Sequence, residues 1–135
     1  MGSDLLITLP AQPDSIAAIR AAVGERAEAL GADRQAVGDL KTVVSEACTN
    51  VVLHAYPKDA PKRPIVIGLG RRGDDLQLSV CDEGAGLRPP HGNRPLGLRM
   101  GLLLVGAIAS CFQLRSERDG GTELTLRLPL QSDSA

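Results

Sequence analysis

Glu46, Asn50 and His54 recur every four residues within Val43–Tyr56, VVSEACTNVVLHAY. On a helix that spacing stacks three side chains along one line. Asn in a helix interior costs roughly half a kcal/mol against Ala, and a Glu–Asn pair lacks the charge complement of an ordinary surface stripe. A carboxylate and an amide oxygen one turn apart suit a hard cation such as Mg²⁺, or a carboxylate base beside one. They also suit a solvated helix face, and the helix taken alone favours that simpler reading. A second acid, Asp82, stands in Cys81-Asp82-Glu83-Gly84-Ala85-Gly86-Leu87. Alternate glycines after an acid at a strand end fit a backbone that approaches a ligand closely, and equally a tight turn. Arg88, Arg94 and Arg99 lie in or beside a Pro- and Gly-rich stretch, Arg88–Leu98. They could reach phosphates, although solvated charge is the simpler reading of each.

The elements that must hold these residues follow from periodicity. Val43, Val44, Ala47, Cys48, Val51, Val52 and Ala55 form an apolar stripe of helical spacing, which predicts a helix capped by Asp33 and stopped before Pro57, with Glu46, Asn50 and His54 opposite the stripe. An earlier helix carries Ile16, Ile19, Ala22, Val23, Ala27 and Leu30, with Asp14 or Ser15 as cap and Gly31 as stop. Strands are expected at Leu5–Leu9, Ile65–Leu69, Leu76–Val80, Phe112–Ser116 and Glu123–Leu128, and an apolar helix at Met100–Ser110. A glycine-rich approach to a helix N-terminus such as Met100 makes a good anion site. Gly68-Leu69-Gly70-Arg71-Arg72-Gly73 matches a dinucleotide fingerprint in form only. That fingerprint opens a helix, whereas Asp74-Asp75 leads into another strand, so a hairpin turn is expected.

Composition narrows the classes. At 135 residues the chain is read as one domain, 1–135, with a tail at 131–135. Tyr56 and Phe112 are its only aromatics, so the core must be built from Leu, Val, Ile and Ala. A net charge of −1 without basic clusters, and no aromatics to spare for stacking, argue against nucleic-acid and membrane surfaces. Cys48, Cys81 and Cys111 stand apart in apolar stretches without a Cys-x-x-Cys pair, which suggests small core residues in a reducing, cytoplasmic setting. No signal peptide is read at the start, and Leu102–Ala109 is too short to span a membrane. There is no Walker loop, no Gly-x-Ser-x-Gly elbow, and no metal-site spacing for the two histidines.

Taken together, three segments resemble the GHKL ATPase superfamily, and within it the anti-sigma-factor serine/threonine kinases. They are Glu46-Ala47-Cys48-Thr49-Asn50 with His54-Ala55-Tyr56, then Asp82-Glu83-Gly84-Ala85-Gly86, then Gly120-Gly121-Thr122 before the last strand. The resemblance covers roughly Leu5 to Leu130. It implies an α+β fold, the two-layer α/β sandwich of the Bergerat ATP-binding type, with a mixed, mostly antiparallel sheet and helices on one face. A lid at about 87–100 would cover ATP on the helical side. By position, Asn50 would hold Mg²⁺ against the phosphates, and Asp82 would accept a hydrogen bond from the adenine amino group, with Thr122 helping through water. Gly84 and Gly86 would let the purine approach. Glu46 would take the proton from a partner's serine or threonine hydroxyl. The family's Gly-x-Gly-Leu segment before the post-lid helix is here Arg99-Met100-Gly101-Leu102, which keeps only Gly101. Either the loop is shifted towards Gly97, or Arg99 supplies a charged phosphate contact in place of a backbone one.

The resemblance further implies a cytoplasmic homodimer that chooses between a sigma factor and a STAS-type anti-sigma-factor antagonist, which it phosphorylates. Two other readings compete. One is a nucleotide-binding switch that sequesters a partner without phosphorylating it. The other is the detached ATP domain of a histidine kinase, which Glu46 and the compact length fit less well.

Overall fold

The computed structural model describes residues 5–55, 63–83, 111–116 and 122–131. Strand β1 (Leu5–Pro10) leads to helices α1 (Pro13–Ala29) and α2 (Arg34–Asn50), and α2 continues as a π-helical turn over Val51–Ala55. Strands β2 (Pro64–Arg72), β3 (Asp75–Asp82), β4 (Cys111–Ser116) and β5 (Thr122–Pro129) complete the described elements. The sheet order is β1-β2-β3-β5-β4, and every pairing between described strands is antiparallel. The expected post-lid helix at Met100–Ser110, the lid and residues 132–135 lie outside the described residues.

Alternation along the strands decides where the core sits. Ile65, Ile67 and Leu69 of β2, Leu76, Leu78 and Val80 of β3, and Leu124, Leu126 and Leu128 of β5 are buried on one face. The helices cover it: α1 packs on β1 and β2, and α2 on β3 and β5. Ile19, Val23 and Ala27 of α1 and Leu40, Val43, Val44, Ala47, Cys48 and Val51 along α2 close the same core. With Leu78 wholly buried, Leu78→Ala should lower unfolding free energy by about 2–5 kcal/mol, measured by urea titration.

Helix ends follow local chemistry. The Asp33 carboxylate caps α2 by accepting from the Ala36 N–H at 2.8 Å. The first helix begins earlier than Asp14 or Ser15, because Pro13 occupies its first turn, where a fixed φ and a missing N–H cost nothing. Gln12 is its cap and makes no side-chain bond, while Ser15 is buried inside the helix. At Gly31 the backbone turns to φ 103°, in the region that favours glycine. The β2–β3 hairpin turns at Gly73-Asp74 with Gly73 at φ 63°, so the fingerprint-like glycines mark a hairpin and not a helix start.

Burial pushes the Cys48 thiol up from 9.0 to about 12. The folded state therefore holds it neutral, and its contribution to stability is complete below pH 9. Above that the unfolded thiol ionises first, so the contribution is lost as pH rises towards 12. Unfolding midpoints of wild type and Cys48→Ala should converge over that window. Cys81, expected in the core, is only half-buried, because it lies on the other face of β3 from Leu78 and Val80.

Candidate functional site

Asp82 is the last residue of β3 and continues the row Leu76, Leu78, Val80 on the helix-covered face. It is 5% exposed, a carboxylate at the end of an apolar row. Its register partners are Ile65 on one side and Thr122, the first residue of β5, on the other.

Two short hydrogen bonds fix where α2 begins. The Asp33 N–H donates to the Leu130 carbonyl at 2.9 Å, and the Leu130 N–H donates to the Asp74 carbonyl at 2.9 Å. Its N-terminus is therefore anchored at the end of the sheet where β3 starts and β5 finishes. From Asp33 to Asn50 a helix advances about 25 Å, and from Leu130 back to Thr122 a strand covers about 26 Å. The last turns of α2 thus arrive over the Asp82–Thr122 end of the sheet.

Those turns carry Glu46 and Asn50. Asn50 is 4% exposed, and Glu46 is half-buried. Asn50 is therefore not opposite the apolar stripe, as its four-residue spacing from Glu46 suggested. At about 100° per residue, each step of four drifts about 40°, and Asn50 joins Val43 and Ala47 on the buried face. Its amide nitrogen donates to the Glu46 carbonyl at 2.9 Å. The other end of that amide, Oδ1, accepts from no donor among the described residues. A buried hard oxygen of this kind fits Mg²⁺, which takes few protein ligands beside phosphates and water. Among the described residues no cluster of three or more His, Cys, Asp or Glu gathers.

Immediately after Asn50 the helix widens into the π-helical turn of Val51–Ala55, an irregularity often found at functional sites. His54 lies in that turn, and its side chain is outside the described residues, as are Gly84, Gly86, Arg99 and Gly101. For Thr122 the backbone register stands alone.

The described residues thus give a second helix whose last turns carry an acid and an amide, and a central strand that ends in a buried aspartate. Residues 9–128 match the family model described as the histidine kinase-like ATPase domain. The chain belongs to that family. Its mixed α/β fold, with an antiparallel sheet under helices, is the fold expected of a GHKL-type ATPase domain.

Within the family it is similar to the serine-protein kinases RsbW. It is 41% identical to that of Bacillus subtilis (strain 168) over 76 residues, 56% of this chain and 47% of the relative. It is 38% identical to that of Bacillus cereus (strain Q1) over 76 residues, 56% of this chain and 46% of the relative. The matched stretch is thus about half the length of these curated relatives. The crystal structure of the RsbU and RsbW domains of Rv1364c from Mycobacterium tuberculosis superposes with TM-score 0.73 at 28% identity, over 94% of this chain and 32% of that one. The histidine kinase AdeS of Acinetobacter baumannii shares the fold alone, with TM-score 0.51 at 15% identity over 93% of this chain and 68% of that one.

Two further features went unread in the sequence. Arg63, just before β2, forms an ion pair with Glu83, just after Asp82, with Nε 3.4 Å from Oε1. Their separation along the chain leaves no local pattern that could reveal the pair. At the opposite end of the sheet a cavity of about 470 Å³ is lined by Gly31, Arg71, Asp74, Asp75, Pro129, Leu130 and Gln131. It is remote from the acid–amide pair, and its Arg71 already donates to the carbonyls of Gly73 at 2.8 Å and Leu30 at 3.2 Å.

Among the described residues no helix is long and apolar enough to cross a membrane.

Proposed function

We propose that this chain is an ATP-dependent serine/threonine protein kinase of the anti-sigma type. What supports it most is a buried Asp82 ending β3 and a buried Asn50 in the last turn of α2, the helix anchored at the other end of the sheet, within a chain of the ATPase family similar to serine-protein kinases. In this reading Asp82 accepts the adenine amino group and Thr122 assists through water. Gly84 and Gly86 admit the purine, and Arg99 and Gly101 serve the phosphates. The Asn50 side chain would hold Mg²⁺, which neutralises charge on the phosphates when bound. Glu46 takes the proton from the acceptor hydroxyl as its oxygen bonds to the γ-phosphorus. The bond to the β–γ bridging oxygen breaks, and the electron pair leaves with ADP. Transfer of this kind depends mainly on positioning and charge neutralisation, and a half-buried carboxylate beside a cation site suits it.

The acceptor would be a STAS-type anti-sigma-factor antagonist, in a circuit where a homodimer of the chain holds either that antagonist or a sigma factor. Single-turnover transfer of labelled γ-phosphate to a co-purified STAS antagonist tests this. Labelled antagonist is expected, and its absence despite tight ATP binding would overturn the kinase reading. Arg99-Met100-Gly101-Leu102 is the one sequence feature that favours the second reading, a nucleotide-dependent switch without transfer, and that same outcome would select it.

A further inference from the structure

We propose that Arg63 and Glu83 are a positioning pair for the nucleotide, an ion pair that holds shut the strand end on which Asp82 sits. This rests on reading Asp82 as the adenine contact. The β2–β3 ladder has Ile65 opposite Asp82 as its last register pair. Arg63 lies two residues before Ile65, and Glu83 follows Asp82 directly, so the pair closes the ladder just beyond its final rung. One side of this clasp is itself fixed, because the Arg63 carbonyl accepts from the Ala11 N–H at 2.9 Å, tying it to the junction of β1 and α1.

The placement matters for chemistry at both ends. Arg63 is the first described residue after the segment leaving the Asn50 helix, and Glu83 is the last before the glycines that follow Asp82. A bond between them therefore ties the chain entering β2 to the residue that follows Asp82. Strand ends open more readily than strand centres, and a ligand contact displaced by about 1 Å loses much of its value. The side chains are 58% and 52% exposed, so the effect is modest and sensitive to salt. Neither residue need touch the nucleotide.

The test uses the full chain, with ADP as the probe, in calorimetric titrations of wild type, Arg63→Glu, Glu83→Arg and the double exchange. Each single reversal should weaken ADP binding about two- to fivefold, and the double exchange should return to within about twofold of wild type. The difference should shrink in about 0.5 M salt. Melting temperatures without nucleotide should agree across the four, which separates positioning from general destabilisation. Single reversals that bind ADP like wild type, or a double exchange no better than the worse single, would overturn the pair. Failure of wild type to bind ADP at all would instead overturn the nucleotide reading, and the pair with it.

Discussion

Asp82→Asn is expected to abolish ATP binding in practice, weakening it by roughly a hundredfold or more. The carboxylate lies in a buried position at the end of an apolar row. There a hydrogen bond to a charged acceptor contributes about 1.5–3 kcal/mol, and a donor left facing another donor adds a desolvation cost of about 1–3 kcal/mol. Asn keeps the size of Asp but can turn an NH₂ towards the adenine amino group, so the loss is chemical and not steric. The apolar row beneath, Leu76, Leu78 and Val80, is untouched, and the far-ultraviolet circular dichroism spectrum should match wild type. Binding of ATP at wild-type strength by Asp82→Asn would remove Asp82 from the site.

Glu46→Gln should separate binding from transfer. Glu46 is half-buried, and its carbonyl holds the Asn50 amide at 2.9 Å through the backbone, which the substitution leaves in place. ATP affinity should therefore stay within about threefold, a change of under 1 kcal/mol. Removing the base should slow transfer by about 10²–10⁴-fold. Rapid-quench measurement of labelled phosphate on the antagonist checks this. Full transfer by Glu46→Gln would show that another group accepts the proton.

How far the residues foretold this arrangement differs from element to element. The helix carrying Glu46 was legible because its apolar stripe spans several turns and Asp33 caps it. The edge of that stripe was not legible, since a four-residue spacing drifts round the helix and carried Asn50 onto the buried face. Strand β2 runs on to Arg72, beyond the apolar pattern that ends at Leu69, because the ladder with β3 continues through backbone bonds that need no apolar side chains. At Gly68 within it a Cβ would stand 2.8 Å from the Ser79 hydroxyl oxygen, so a larger residue there would make the serine side chain rotate. Strand β3 likewise extends to Asp82, which the alternation from Leu76 to Val80 implies once the acid is allowed a place on the inner face. The π-helical turn after Asn50 and the Arg63–Glu83 pair had no local signature. The pair joins residues that meet only when the hairpin closes.

Titration of the wild-type chain with ADP and ATP, with and without Mg²⁺, bears most directly on the proposal that Asn50 and Asp82 bind a nucleotide. One nucleotide per chain is expected, with ATP bound more tightly when Mg²⁺ is present and with Asn50→Ala losing that dependence. Absence of heat at millimolar nucleotide, or ATP affinity that Mg²⁺ leaves unchanged, would contradict it.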